Sequence, residues 1–194
     1  MNCKGTKKIP KILKHSGTSI IPTDTIYGVV ASAWSKKAVE RAYKTLKRNP
    51  KKPFIILIGS IGDLALFKIK LDNATRKTLK ELWPGKISII LPVTSKKFQY
   101  LHRGKKSMAF RLPKKKSLVN LLKKTGPLIS TSANPEGKKS AETIAEARKY
   151  FGGKIDFYVS GGRIKSQPST LVEIKNGKIH VLRKGAVKIS KFLI

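Results

Sequence analysis

An α/β domain built on one mixed sheet is what the sequence predicts, on three observations. Strand-like and helix-like segments alternate along most of the 194 residues, the pattern of a sheet covered by helices. "PFIILIG" (53–59) is a continuous apolar run, as expected of a strand covered on both faces. Near the C-terminus, "TLVEIKNGKIHVLRKG" (170–185) sets two alternating runs about Asn176-Gly177. That pair signals a hairpin, because both residues tolerate the positive φ a tight turn demands. The length suits one domain with a sizeable core, expected over 1–194 with its core at about 6–187.

The elements follow in order. "TSIIP" (18–22) reads as a strand. The oxygen-bearing Thr23, Asp24 and Thr25 come next, where a strand is expected to hand over to a helix. "KKAVERAYKTLKR" (36–48) places Ala38, Val39, Ala42, Tyr43 and Leu46 on one helical face. Ser60 with Asp63 resembles a capping box opening a short helix. Asn73 is expected to cap "ATRKTLKEL", which Pro84-Gly85 stops. "KISIILP" (86–92), "MAFRLP" (108–113) and "GPLIS" (126–130) are further strand candidates. "KSLVNLLKKTG" (116–126) and "SAETIAEARKYFGG" (140–153) are amphipathic helices, ended by Gly126 and Gly152, with Ser140 as the expected cap of the second.

Charge is the compositional outlier: 43 Lys+Arg face 10 Asp+Glu, a formal net charge of +33. Such a surface attracts polyanions. Lys supplies 35 of the 43, and Lys-rich surfaces also follow genomic nucleotide bias, so charge alone supports weak, salt-sensitive nucleic-acid binding. The single Cys3 rules out a disulfide framework and cysteine zinc sites. No apolar run approaches the roughly 20 residues of a membrane span, and the basic start has no signal-peptide core, so no membrane association and a cytoplasmic location are expected. His15, His102 and His180 sit in unrelated contexts, and no metal site is expected. There is no GxGxxG, Walker A or GxSxG pattern. Paired-carboxylate catalysis has little raw material.

What recurs is hydroxyl and guanidinium groups where strands end: "PTDTIYG" (22–28), "KRNPKKPF" (47–54), "SMAFRLP" (107–113), "ISTSANPEG" (129–137) and "QPSTLVE" (167–173). Strand ends are where α/β sheets place ligands. Hydroxyls and backbone N–H groups cradle phosphate oxygens, and Arg and Lys neutralise them.

With these stretches the chain resembles the YrdC-like proteins, which include the threonylcarbamoyl-AMP synthases. "PTDTIYG" is similar to the family's P-T-[DE]-T-x-Y-G, "KRNPKKPF" to its K-x-R loop followed by [KN]-P-[LF], and "MAFRLP" to its V-A-V-R-x-P strand. "STSAN" is similar to S-x-N, "PSTLVE" to S-T-[VIL]-V-[DE], and "WPGKIS" to W-P-G-x-x-T. The likeness runs over about residues 17–187 and implies the short, single-domain form. It implies a twisted mixed sheet flanked by helices, with a concave basic cleft.

The resemblance also implies a reaction. L-threonine, bicarbonate (or CO2) and ATP would give threonylcarbamoyl-adenylate and pyrophosphate, for tRNA N6-threonylcarbamoyladenosine next to the anticodon. Carbamate oxygen attacks the α-phosphorus, so positioning and charge stabilisation suffice without a covalent nucleophile. Carried over by position, Thr23, Arg111, Ser130 and Ser169 are the expected threonine contacts. Arg48, Lys52, Ser107, Ser132, Asn134, Ser140 and Arg183 are the expected ATP contacts, Arg48 and Lys52 being the main contributors to charge stabilisation. Asp24 is expected to orient its loop, and Mg2+ to arrive on the ATP phosphates. Expected partners are threonylcarbamoyl-transferase complex proteins, with tRNA or double-stranded RNA on the basic surface.

Two departures stand out. The first Lys of K-x-R falls on Leu46, with Lys44 and Lys47 as the nearby replacements. Where some relatives place a polar residue after the [KN]-P-[LF] strand, this chain has Leu57. The alternative function is a non-catalytic or specialised YrdC/YciO-like RNA-binding paralogue.

Overall fold

The computed structural model describes residues 8–175 and 178–189; Cys3 and the expected Asn176-Gly177 turn lie outside the described residues. Helix α1 (Ile9–Lys14) leads into strand β1 (Thr18–Pro22), then β2 (Tyr27–Ser32) and helix α2 (Lys36–Leu46). Strand β3 (Ile55–Leu57), a 3-10 turn (Ile61–Phe67), helix α3 (Asn73–Leu82) and strand β4 (Ile87–Pro92) follow. Next come α4 (Gln99–His102), β5 (Ser107–Arg111), α5 (Lys116–Thr125), β6 (Leu128–Ser132) and α6 (Ile144–Phe151). Strands β7 (Phe157–Tyr158), β8 (Thr170–Lys175) and β9 (Lys178–Arg183) complete the order.

The strands form one mixed sheet in the order β7-β1-β2-β6-β3-β5-β4-β8-β9. β8 and β9 pair antiparallel with Lys175 opposite Lys178, the expected C-terminal hairpin. The segment after Thr25 departs from expectation. Instead of a helix, the chain doubles back as β2, antiparallel to β1, with Pro22 opposite Tyr27. Every residue of β2 is buried, so "YGVVAS" shows no alternation to mark it as a strand.

Local chemistry explains the helices. Ser35 caps α2 by accepting from Ala38 N–H at 3.1 Å, and the expected stripe Ala38, Val39, Ala42, Tyr43 and Leu46 is buried. Ser60 and Asp63 form the expected capping box. Two caps shift. Asp72, not Asn73, caps α3, its carboxylate accepting from Thr75 N–H at 2.6 Å. Thr143, not Ser140, caps α6, accepting from Glu146 N–H at 3.2 Å. In each case the true cap stands immediately before the first residue that makes helical bonds.

The larger core cluster packs α2, α3 and α6 against one sheet face through residues such as Val39, Leu79, Phe110 and Phe151. A smaller cluster lies on the opposite face, where Ile9 and Leu13 of α1 and Leu118 and Leu122 of α5 cover Val30, Leu57 and Leu128. Side chains alternate along a strand, so Gly28, Ile55, Arg111 and Ser130 belong to this second face. The two helices cover only part of it. The uncovered part is a cavity.

Candidate active site

The cavity measures about 650 Å3 and takes residues from every strand-end motif singled out in the sequence. Thr23, Arg48, Ser107, Arg111, Ser130, Ser132, Asn134, Ser140, Ser169 and Arg183 all line it. Lys52 does not: its ammonium is paired with Glu136, and it belongs to the loop behind Arg48. Lys44 and Lys47 are exposed and outside the lining, while Leu46 is buried in the α2 stripe. A lysine at that position would bury an unpaired charge.

Arg111 ends β5 with its side chain only 6% exposed. Its Nε donates to Gly85 O at 3.1 Å and its Nη1 to Thr25 Oγ1 at 3.0 Å. Its Nη2 is paired with the Asp24 carboxylate. Burial pushes the guanidinium pKa below the ordinary arginine value, and the Asp24 charge opposes that shift. An Arg carries five N–H donors; three are engaged here, and one remains on each terminal nitrogen.

Thr23 is engaged by its own turn. Its hydroxyl donates to Ile26 O at 2.6 Å and accepts from Thr25 N–H at 3.1 Å and Ile26 N–H at 3.2 Å. Its methyl lies beside Gly28, where a Cβ would stand 3.2 Å from Thr23 Cγ2 and 3.1 Å from Ser130 Oγ. Glycine keeps this floor open. Ser169 is buried, its hydroxyl 2.8 Å from that of Ser88. Ser88 takes the Thr position of W-P-G-x-x-T and retains the hydroxyl. Gly185 lets the chain after β9 press on the Ser169 segment, since a Cβ there would meet Pro168 O at 2.3 Å.

Two more guanidinium groups line the cavity. Arg48 donates to Lys52 O and Pro53 O, at 3.1 and 3.2 Å, and stacks 5.1 Å over the Phe54 ring. Arg183 donates to Ser169 O at 2.8 Å. Both guanidinium pKa values fall below the usual arginine value. Burial is the main cause for each, and the like charge of Arg48 adds to it for Arg183. Asn134 ties its loop by donating to Pro135 O and Lys138 O, both at 2.8 Å, and accepts from Ser140 at 3.3 Å.

Lys105 and Lys138 also line the cavity and were missed. Nothing distinguishes them in a sequence with 35 lysines. Thr25, the second hydroxyl of "TDT", was missed as a partner of Arg111. Leu57 makes an apolar wall in register with Arg111. No Asp or Glu lines the cavity, and no cluster of three His, Cys, Asp or Glu side chains suited to a metal occurs among the described residues.

The register polarises the site. Arg111 and Ser107 end the same five-residue strand, about 13 Å apart at 3.3 Å per residue. Ser130, opposite Ile55, lies between Arg111 and Ser132. The cavity therefore offers an anion two separate holds, Arg111 at one end and Arg48, Lys105 and their neighbours at the other. A carboxylate suits the first, being matched by a guanidinium fork, and a polyphosphate the second.

Known proteins share the sequence pattern and fold of this chain. The Sua5_yciO_yrdC family model, described as "Telomere recombination", matches residues 11–185. The threonylcarbamoyl-AMP synthase of Marinobacter nauticus is 30% identical over 165 residues, covering 84% of this chain and 87% of that protein. The crystal structure of Pyrococcus abyssi Sua5 complexed with L-threonine superposes with a TM-score of 0.87 at 25% identity. That match covers 95% of this chain, which spans only 55% of the Pyrococcus chain. E. coli YciO shares the fold, with a TM-score of 0.85 at 23% identity over 96% of this chain and 91% of its own.

Proposed function

This chain belongs to the Sua5–YciO–YrdC family, and on that premise we propose that it works as a threonylcarbamoyl-AMP synthase. It joins L-threonine, bicarbonate or CO2, and ATP into threonylcarbamoyl-adenylate, releasing pyrophosphate. The observation that carries this reading is the carboxylate-free cavity, with a buried Arg111 fork at one end, Arg48 and Lys105 at the other, and Arg183 and Lys138 also lining it.

Arg111 takes the threonine carboxylate on its two remaining N–H groups. Ser130, Ser169 and the Thr23 methyl wall the amino acid, with Leu57 on its apolar side. Arg48, Arg183, Lys105 and Lys138 neutralise the triphosphate, and Ser107, Ser132, Asn134 and Ser140 add neutral contacts. Lys52 supports that end indirectly, by holding the loop against Glu136. The free threonine amine bonds to CO2 as a carbamate and releases one proton to solvent. Carbamate oxygen then attacks the α-phosphorus, and the pyrophosphate leaves on the cationic end. Holding both anions in one partly dry cavity supplies the entropy and the charge stabilisation, so no side chain forms a covalent bond. The lining has no carboxylates to cage Mg2+, which enters on the nucleotide phosphates as part of the substrate.

The adenylate serves tRNA N6-threonylcarbamoyladenosine formation through threonylcarbamoyl-transferase proteins. The +33 charge supports tRNA contact. No helix among the described residues is long and apolar enough to cross a membrane, which fits a cytoplasmic site of action. The test is pyrophosphate release from ATP in bicarbonate buffer with and without L-threonine, with mass detection of the adenylate. Folded protein that shows no threonine dependence overturns the assignment. The charge also favours a second reading, an RNA-binding paralogue, which predicts steeply salt-dependent RNA binding with no effect of threonine.

A further inference from the structure

The opening motif supplies more hydrogen-bonding groups than a substrate wall needs, and almost all of them point at Arg111 or at one another. The hydroxyl pairing has one consistent direction. Thr23 Oγ1 gives its only proton to Ile26 O at 2.6 Å. The 3.0 Å contact between the two threonine hydroxyls then uses the Thr25 proton, sharing the Thr23 lone pairs with the Thr25 and Ile26 N–H groups. Thr25 Oγ1 is left as an acceptor, and Arg111 Nη1 fills it at 3.0 Å. A directed chain results, from Arg111 through Thr25 and Thr23 to Ile26 O, each bond polarising the next.

Asp24 adds the second hold. One carboxylate oxygen takes Arg111 Nη2, and the other accepts from Lys114 N–H at 3.2 Å, which fixes the carboxylate plane. Lys115 clamps the backbone from below, donating to Pro22 O at 3.0 Å. The ion pair is deeply buried, with side chains 6% and 10% exposed. Buried pairs are not reliably more stable than apolar residues of the same volume. Orientation gives this one a purpose that stability does not.

We infer that Thr23, Asp24 and Thr25 are positioning residues that aim the Arg111 guanidinium, so that its two remaining N–H groups meet the substrate carboxylate. The inference rests on the functional reading above and deepens it. Thr23 acts through this chain, and its hydroxyl does not touch the amino acid.

Asp24→Asn keeps the shape but turns one acceptor into a donor, facing either Arg111 or Lys114 N–H. Thr25→Val removes the acceptor isosterically, and Thr25→Ser keeps it. Michaelis constants for L-threonine and ATP come from pyrophosphate release, the L-threonine dissociation constant from calorimetry, and folding from thermal melts. Asp24→Asn and Thr25→Val are expected to raise both threonine constants roughly 10- to 100-fold, the scale of a misaimed binding group, with the ATP constant within about twofold. Thr25→Ser restores most of the affinity that Thr25→Val loses. Unchanged threonine constants in folded variants, or equal rises for threonine and ATP, overturn the positioning role alone. Wild-type protein that neither binds nor turns over L-threonine overturns the functional reading and this inference with it. If Asp24→Asn fails to fold, the Val–Ser pair at position 25 still decides.

Discussion

Replacing Arg111 with lysine tests the site and the fold together. The guanidinium makes three contacts at once, to Gly85 O, Thr25 Oγ1 and Asp24. A lysine ammonium on a slightly shorter stem keeps the Asp24 charge paired but reaches at most one of the other two acceptors. A buried acceptor left without a partner costs about 1–3 kcal/mol, so Arg111→Lys is expected to lose about that much stability. For a chain of this length, each kcal/mol moves the melting temperature by about 2–4 °C, giving a fall of about 2–12 °C. The substrate effect is separate. A two-pronged grip on a carboxylate becomes a single contact, and one charge-assisted hydrogen bond is worth about 1.5–3 kcal/mol. At 1.4 kcal/mol per tenfold, the threonine KM rises roughly 10- to 150-fold. The ATP KM, governed by the far end of the cavity, stays within about twofold. Initial rates of pyrophosphate release, each substrate varied with the other saturating, make the comparison. Equal rises in both constants would refute the carboxylate role. A changed threonine KM with no change in melting temperature would refute the expected stability loss from the unpartnered acceptor.

Gly28→Ala places a Cβ 3.1 Å from Ser130 Oγ and 3.2 Å from Thr23 Cγ2; it is expected to cost about 1–3 kcal/mol by overpacking and to raise the threonine KM but not that of ATP, read by melts and kinetics. Lys105→Gln and Lys138→Gln, at exposed positions on the cavity rim, are each expected to raise the ATP KM about 1.5- to 5-fold; the difference from wild type should vanish in high salt, and one that persists there would count against a charge role. Asp156 is held below the ordinary carboxylate pKa, because bonds from Arg41 and Thr18 outweigh the upward push of burial. With the folded pKa below the unfolded one, its contribution is complete above the unfolded value and is lost as pH falls through the folded value; Asp156→Asn should therefore destabilise at neutral pH and converge on wild type in acid, as melts across pH would show.

How much of this was legible depended on whether a signal was local. The α2 stripe from Ala38 to Leu46 was, because 3.6-residue periodicity is written in consecutive residues. So were the cavity hydroxyls and arginines within the five strand-end stretches, whereas Ser140 and Arg183 came only through the family resemblance. β2 was not, because complete burial erases the alternation that identifies a strand. The caps of α3 and α6 slipped because Asp72 and Asn73, or Ser140 and Thr143, are all chemically able to cap. Only backbone geometry chooses between them. Lys52 looked like a phosphate ligand until Glu136, 84 residues away, took it. Thr25 meets Arg111 across 86 residues, a distance no local pattern spans.

The scarcity of acids becomes informative once each is located. Asp24, Glu40, Glu136, Glu142, Asp156 and Glu173 each pair with a cation. Asp63, Asp72 and Glu146 satisfy backbone N–H groups in caps or turns. That accounts for nine of the 10 acids, and none of the 10 lines the cavity. The chain uses its few carboxylates to tie loops and fix orientation, and keeps them out of the cavity. Burial lowers the affinity of Arg183 for its proton, and the like charge of Arg48 adds to that effect. On the proposed function, a polyphosphate bound there would bring compensating charge to both guanidinium groups. A glutamate in this lining would have neutralised one of the two arginines; the chain places none there, and the proposed function assigns that neutralisation to the substrate phosphates.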